Sequence, residues 1–177
     1  MKYLASVALL ILCLCFAVFG QPAGTAEKRS APAFSVTSME GKRFNSADLK
    51  GKVVVLNLWF VNCPFCVEEI RLLNRIVDEY KHNRDVVFIG MATNDKPGLE
   101  SFLRKNPFKY NVVPSAMMQI LSFGTPNRKG EINMPFPVHI VIDRAGKIVV
   151  DTNGLKGVTA VSEELKRQFR AKDAKSK

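Results

Sequence analysis

The stretch Val53-Val54-Val55-Leu56-Asn57-Leu58-Trp59-Phe60-Val61-Asn62-Cys63-Pro64-Phe65-Cys66-Val67-Glu68-Glu69 decides how this chain is read. Val53 to Trp59 is a nearly continuous apolar run, the pattern of a central strand buried on both faces. From Pro64 the period changes. Ile70, Leu73, Ile76 or Val77, and Tyr80 recur at helical spacing towards His82, with charges on the other side. Cys63 stands four residues beyond Trp59, at the join of strand and helix, and Cys66 lies one turn in. Free N–H groups and the dipole at a helix N-terminus favour a thiolate over a thiol. The dipole alone, at about 0.3–1 kcal/mol, moves a pKa by less than about one unit. Direct hydrogen bonds to the sulfur must supply anything larger. Cys66, one turn deeper, is the better placed of the two to act as the resolving thiol.

Working outward, strand and helix alternate. Phe34-Ser35-Val36 and Lys42-Arg43-Phe44 flank Met39-Glu40-Gly41 as a hairpin, and Ser46 to Leu49 reads as a short helical turn. Val86 to Ala92 is a second buried strand, and Pro97 to Lys105 a short helix opened by its proline. Val138 to Ile142 and Lys147 to Val150 are strands joined across Asp143-Arg144-Ala145-Gly146, and Val158, Val161, Leu165 and Phe169 stripe a last helix. This order predicts an α/β layer fold with helices on both sheet faces, whose chemistry belongs at the carboxyl ends of the strands. Pro107 to Pro137 holds five of the nine prolines and reads as a loop, either docking substrate or burying its underside.

The chain has 177 residues, enough for one domain with a sizeable core. At 47% apolar and 24% charged it is neither disordered nor a disulfide-stapled scaffold. Lys2 precedes an apolar run from Leu4 to Phe19, and small residues follow to Ala26. Residues 1–26 are therefore read as a secretory signal, cleaved after Gly20 or Ala26. An uncleaved anchor is the alternative, although the run is shorter than the roughly 20 residues of a comfortable span. The exported domain is expected over residues 27–172, with a basic tail at 173–177. Cys13 and Cys15 fall inside the leader, so Cys63 and Cys66 are the only cysteines of the exported part. In an oxidising compartment they pair, are kept reduced, or alternate between the two. Lys2 is the single charge before Glu27, so nearly all of the net charge of +10 lies beyond the leader. Lys166, Arg167, Arg170, Lys172, Lys175 and Lys177 crowd the C-terminus, as suits a helix end or an exposed tail, or contact with anionic lipid. No nucleic-acid-reading motif is present.

With Pro137-Val138-His139-Ile140-Val141-Ile142-Asp143 and Gly146-Lys147-Ile148-Val149, the opening stretch resembles the thioredoxin superfamily. The match is best to its exported TlpA/ResA-like thiol-disulfide oxidoreductases, with an AhpC/TSA-redoxin-like domain, over roughly Ala31 to Phe169. The resemblance implies a thioredoxin-like fold: a central mixed β-sheet with helices on both faces, an N-terminal β-hairpin and a central insertion. It implies that Cys63 and Cys66 form a redox-active disulfide, Cys63 entering a mixed disulfide with substrate and Cys66 resolving it. Pro137 would be cis and face the pair, and Phe136 would offer backbone groups to an extended substrate chain. Glu69, three residues beyond Cys66, is either the acid that takes the Cys66 proton or a solvated helix carboxylate like Glu68. Asn57 stands where ordinary thioredoxins keep a buried Asp.

The leader implies an extracytoplasmic (periplasmic) protein, and a monomer without cofactor or metal is expected. Its partners would be protein thiols and disulfides and a membrane electron donor, with reduction as the favoured direction and no nucleic acid bound. Three residues depart from the family pattern: Asn62 replaces the usual Trp before the first cysteine, Phe60 a small residue, and Val138 the Glu of the cytochrome-maturation branch. Other readings on the same fold are weaker. A Sco-like copper carrier spaces its cysteines more widely, and a peroxidase places Thr where Phe60 stands. His139 is expected to be a satisfied core histidine, Trp59 a packing wall, and Met117, Met118 and Met134 gap-fillers.

Overall fold

The computed structural model describes residues 28–175. Seven strands and four α-helices follow one another along the chain. The strands are β1 (Ser35–Thr37), β2 (Arg43–Asn45), β3 (Val53–Trp59), β4 (Val86–Ala92), β5 (Asn111–Val113), β6 (Val138–Ile142) and β7 (Ile148–Asn153). The helices are α1 (Pro64–Tyr80), α2 (Lys96–Lys105), α3 (Met117–Phe123) and α4 (Gly154–Lys175). The leader expected over residues 1–26 lies outside the described residues; among those described, no helix is long and apolar enough to cross a membrane.

β3 is the centre of a five-stranded mixed sheet ordered β5-β4-β3-β6-β7. It runs parallel to β4 and antiparallel to β6, and every one of its seven residues is buried. The alternation of a strand sends Val54, Leu56 and Leu58 to one face, where they meet Ile89, Met91, Ile140, Ile120 and Phe123. The β1–β2 hairpin closes that face with Phe34, Val36 and Phe44. Val53 and Val55 point the other way, onto Leu73 and Ile76 of α1 and Val158, Val161 and Leu165 of α4. Trp59 ends that second face against Leu99 of α2. Helices therefore cover both faces, as the alternation of elements predicts.

The structure moves several expected boundaries. The hairpin pairs Ser35 with Asn45 and Val36 with Phe44, one residue later than read from the sequence. α2 starts at Lys96 because Asp95 is its N-cap, accepting the Gly98 N–H at 3.0 Å. The final helix begins at Gly154, before its apolar stripe, and stays helical to Lys175 through most of the stretch set apart as a tail. Pro107–Pro137 is more than a loop, since it contains β5 and α3. Three strand residues, stopped by Pro114, are too few to show alternation. The seven residues of α3 sink Ile120 and Phe123 into the core, so the buried underside belongs to a helix.

The strand–turn–helix junction is held locally. The Val61 N–H donates to Asn94 Oδ1 at 2.9 Å and the Cys63 N–H to the Phe60 carbonyl at 3.3 Å. At the opposite end of the sheet, Asp143 Oδ1 accepts from the Ala145 and Lys147 N–H groups, and Gly146 takes φ +78° to close the β6–β7 turn.

Candidate active site

Cys63 is the N-cap of α1, and Pro64 follows at a position whose missing N–H costs the helix nothing. The side-chain oxygen usual at an N-cap is replaced by sulfur: Cys63 Sγ accepts the Cys66 N–H at 3.1 Å. This is the direct hydrogen bond that the dipole argument requires. The two sulfurs are joined, S–S 2.07 Å, with Cα atoms 5.2 Å apart. Both cysteines are buried, whereas Phe65 between them is 63% exposed. Trp59, Ala92, Leu99 and Val112 form the apolar bed beneath them. Trp59 stacks on Phe108 at 4.7 Å and tilts against Phe102 at 5.3 Å, a wall of the kind expected.

The Phe136–Pro137 peptide bond is cis. Phe136 packs on the cluster that holds both cysteines, and its ring meets Phe60 edge-on at 5.4 Å. Its N–H already donates to the Met134 carbonyl at 2.9 Å. That bond occupies the N–H of Phe136 within the chain.

Beneath the disulfide lies a polar row. Asn57 on β3 is in register with Gly90 on β4 and with His139 on β6, which in turn faces Thr152 on β7. Glu69 reaches this row from α1. Its Oε1 accepts from Asn57 Nδ2 at 3.3 Å and stands 3.0 Å from His139 Nε2. Glu69 and His139 are both 0% exposed, so the solvated-carboxylate reading of Glu69 is excluded. His139 is in the core but is not satisfied as expected. Despite the 3.0 Å separation, its Nε2 is not aligned for a hydrogen bond, and Nδ1 and Glu69 Oε2 also lack one.

The Tyr110 hydroxyl approaches Asn57 Oδ1 at 3.5 Å from the β5 side. Burial, reinforced by the Glu69 charge, pushes that hydroxyl well above its ordinary range, so Tyr110 stays protonated. Neither Tyr110 nor the approach of His139 to Glu69 stands among the expectations drawn from the sequence. One signal was present: a glycine inside a buried strand marks a close approach. A Cβ at Gly90 would stand 3.1 Å from the Tyr110 ring and 3.2 Å from Trp59 Nε1.

Residues 26–165 match the Redoxin family. The chain is 27% identical over 140 residues to the thiol-disulfide oxidoreductase ResA of Bacillus thuringiensis subsp. konkukian, covering 78% of this chain and 76% of that one. With ResA of Bacillus anthracis it shares 30% over 122 residues, 68% of this chain and 66% of the relative. Among solved structures, a thiol:disulfide interchange protein of the thioredoxin family from Chlorobium tepidum superposes with TM-score 0.68 at 25% identity, covering 82% of this chain and 99% of its own.

Proposed function

The chain belongs to the Redoxin family, in its TlpA/ResA-like branch, and from that premise we propose that Cys63 and Cys66 exchange disulfides with protein thiols outside the cytoplasm. The observation that carries this reading is the buried Cys63–Cys66 disulfide at the helix N-terminus, with Cys63 Sγ as the cap of α1. Thiolate at that position is favoured by the cap N–H and the dipole together.

In the reducing direction the Cys63 thiolate attacks a substrate disulfide, forming a mixed disulfide and releasing one substrate thiolate. Cys66 gives up its proton, attacks Cys63 Sγ, and the second substrate sulfur leaves with the electron pair. Glu69 is the proton acceptor in this reading: it is three residues from Cys66 on α1, buried, and reached by no described basic side chain other than His139. The Phe136 carbonyl beside Pro137 is the docking group for an extended substrate segment. Reduction is the working direction, with a membrane thiol donor restoring the dithiol, and the protein acts as a monomer. The leader-like residues 1–26 support the extracytoplasmic placement. Copper carriage and peroxide reduction draw no support from the site: His139 is turned to Glu69, and Phe60 stands three residues before Cys63.

Two variants test the assignment. Cys63→Ser is expected to abolish exchange with a disulfide substrate, and Cys66→Ser to accumulate a mixed disulfide visible by mass spectrometry. Retention of exchange in both variants would overturn it.

A further inference from the structure

Glu69 has a buried neighbour that the exchange reaction as described does not use. His139 brings an imidazole nitrogen to 3.0 Å from the Glu69 carboxylate, inside the core, on the strand that pairs with β3. A buried carboxylate without a counter-charge is expensive, and such groups neutralise by taking up a proton. A carboxyl that already holds a proton cannot receive one from Cys66.

We propose that His139 is a positioning residue for the resolving step, carrying the counter-charge for an anion that passes between Glu69 and Cys66. The inference rests on the exchange reading above. Before the step the buried charges are the Glu69 carboxylate and the His139 imidazolium. The proton then moves from Cys66 Sγ to Glu69, leaving a neutral carboxyl, a thiolate and the same imidazolium. The thiolate forms its bond to Cys63 Sγ, the Cys63–substrate bond breaks, and the substrate sulfur leaves as a thiolate with the electron pair. No net charge is created within the cluster at the proton transfer, which is what a site of low polarity requires.

The surroundings leave this role to His139. On the β5 side the ionisable group is Tyr110, whose hydroxyl burial keeps protonated. β3 contributes the amide of Asn57 and β7 contributes Thr152, neither of which ionises. α1 contributes Cys66 and Glu69 themselves. α4 meets the ring with Gly157, and a Cβ there would stand 2.3 Å from His139 Cδ2. The glycine allows the helix backbone to close over the imidazole and hold it against Glu69.

The test follows the reduced protein reacting with a chromogenic aromatic disulfide, in which the first aromatic thiol released reports attack by Cys63 and the second reports resolution by Cys66. His139→Gln is expected to slow the second phase, relative to the first, by about tenfold or more at neutral pH. The deficit should fade as pH rises through the thiol range, where Cys66 ionises without help. In a Glu69→Gln background, His139→Gln should add nothing further. Gly157→Ala, which pushes the ring without removing it, should also slow the second phase, and it carries the test if His139→Gln does not fold. An unchanged second phase, an equal slowing of both phases at every pH, or additive effects of His139→Gln and Glu69→Gln would overturn the proposal. Absence of both phases from the unaltered protein would instead overturn the exchange reading on which it rests.

Discussion

The Glu69 carboxylate has given up water for one amide N–H from Asn57 and the edge of an imidazole. Desolvation of a buried ion costs several kcal/mol, and an imperfect set of partners does not repay it. Glu69→Gln removes only one member of the buried pair and leaves the His139 imidazolium without its counter-charge, so it is expected to cost about 3–5 kcal/mol in urea unfolding. The same change should slow resolution by Cys66 by about two orders of magnitude, which rapid mixing of the mixed disulfide would measure. Loss of stability with full resolution would assign Glu69 to packing. Gly90 makes a different test of the polar row. An added Cβ meets the Tyr110 ring at 3.1 Å and Trp59 Nε1 at 3.2 Å, so Gly90→Ala is expected to cost about 1–3 kcal/mol by overpacking.

Elements with a strong period were legible from residues alone. β3 is Val53–Trp59 as read, because seven consecutive buried positions leave no other register. α1 follows from its apolar stripe, from Pro64 at its first turn and from Cys63 before it. β5 and α3 were missed because one is three residues long and the other seven, each bounded by turns, and both owe their existence to packing on β4 and the sheet. The disulfide's surroundings were only half legible. Cysteine spacing announces the pair, but the meeting of Asn57, Glu69, Tyr110 and His139 depends on strand register, which spacing along the chain does not encode.

Caps at this scale have measurable weight. Asp95→Ala removes the acceptor of the Gly98 N–H and should cost about 1 kcal/mol, seen in urea unfolding as a lower midpoint with an unchanged slope. On α4, burial pushes the Glu164 carboxyl up, but hydrogen bonds from Arg167 and Gln168 together with the charges of Arg167 and Lys28 outweigh it and hold the group below its ordinary 4.5. A depressed carboxyl stabilises the fold above its unfolded pKa and loses that contribution as pH falls through the folded one. Acid unfolding of Arg167→Ala should therefore show a shallower loss of stability below about pH 4.5 than the unaltered chain.

Across the whole molecule, a rigid mixed sheet holds the disulfide at the carboxyl end of its central strand, and the β6–β7 turn lies at the far end. Core loss should reach the site only through stability. Leu56, fully buried beneath the side of β3 remote from α1, is expected to cost about 2–5 kcal/mol on change to Ala while the remaining folded protein keeps its exchange chemistry. Phe60, one of the departures from the family pattern, packs on the cluster that holds both cysteines, and Phe65 projects 63% exposed from between them.

The measurement that tests the central claim most directly is the equilibrium of the Cys63–Cys66 pair with defined thiol buffers. A reversible dithiol–disulfide couple nearer the roughly −270 mV of thioredoxin than the −120 mV or so of a strong oxidant is the predicted result. A reversible couple at the oxidising end would contradict the reducing direction, and the absence of any reversible couple would contradict exchange itself.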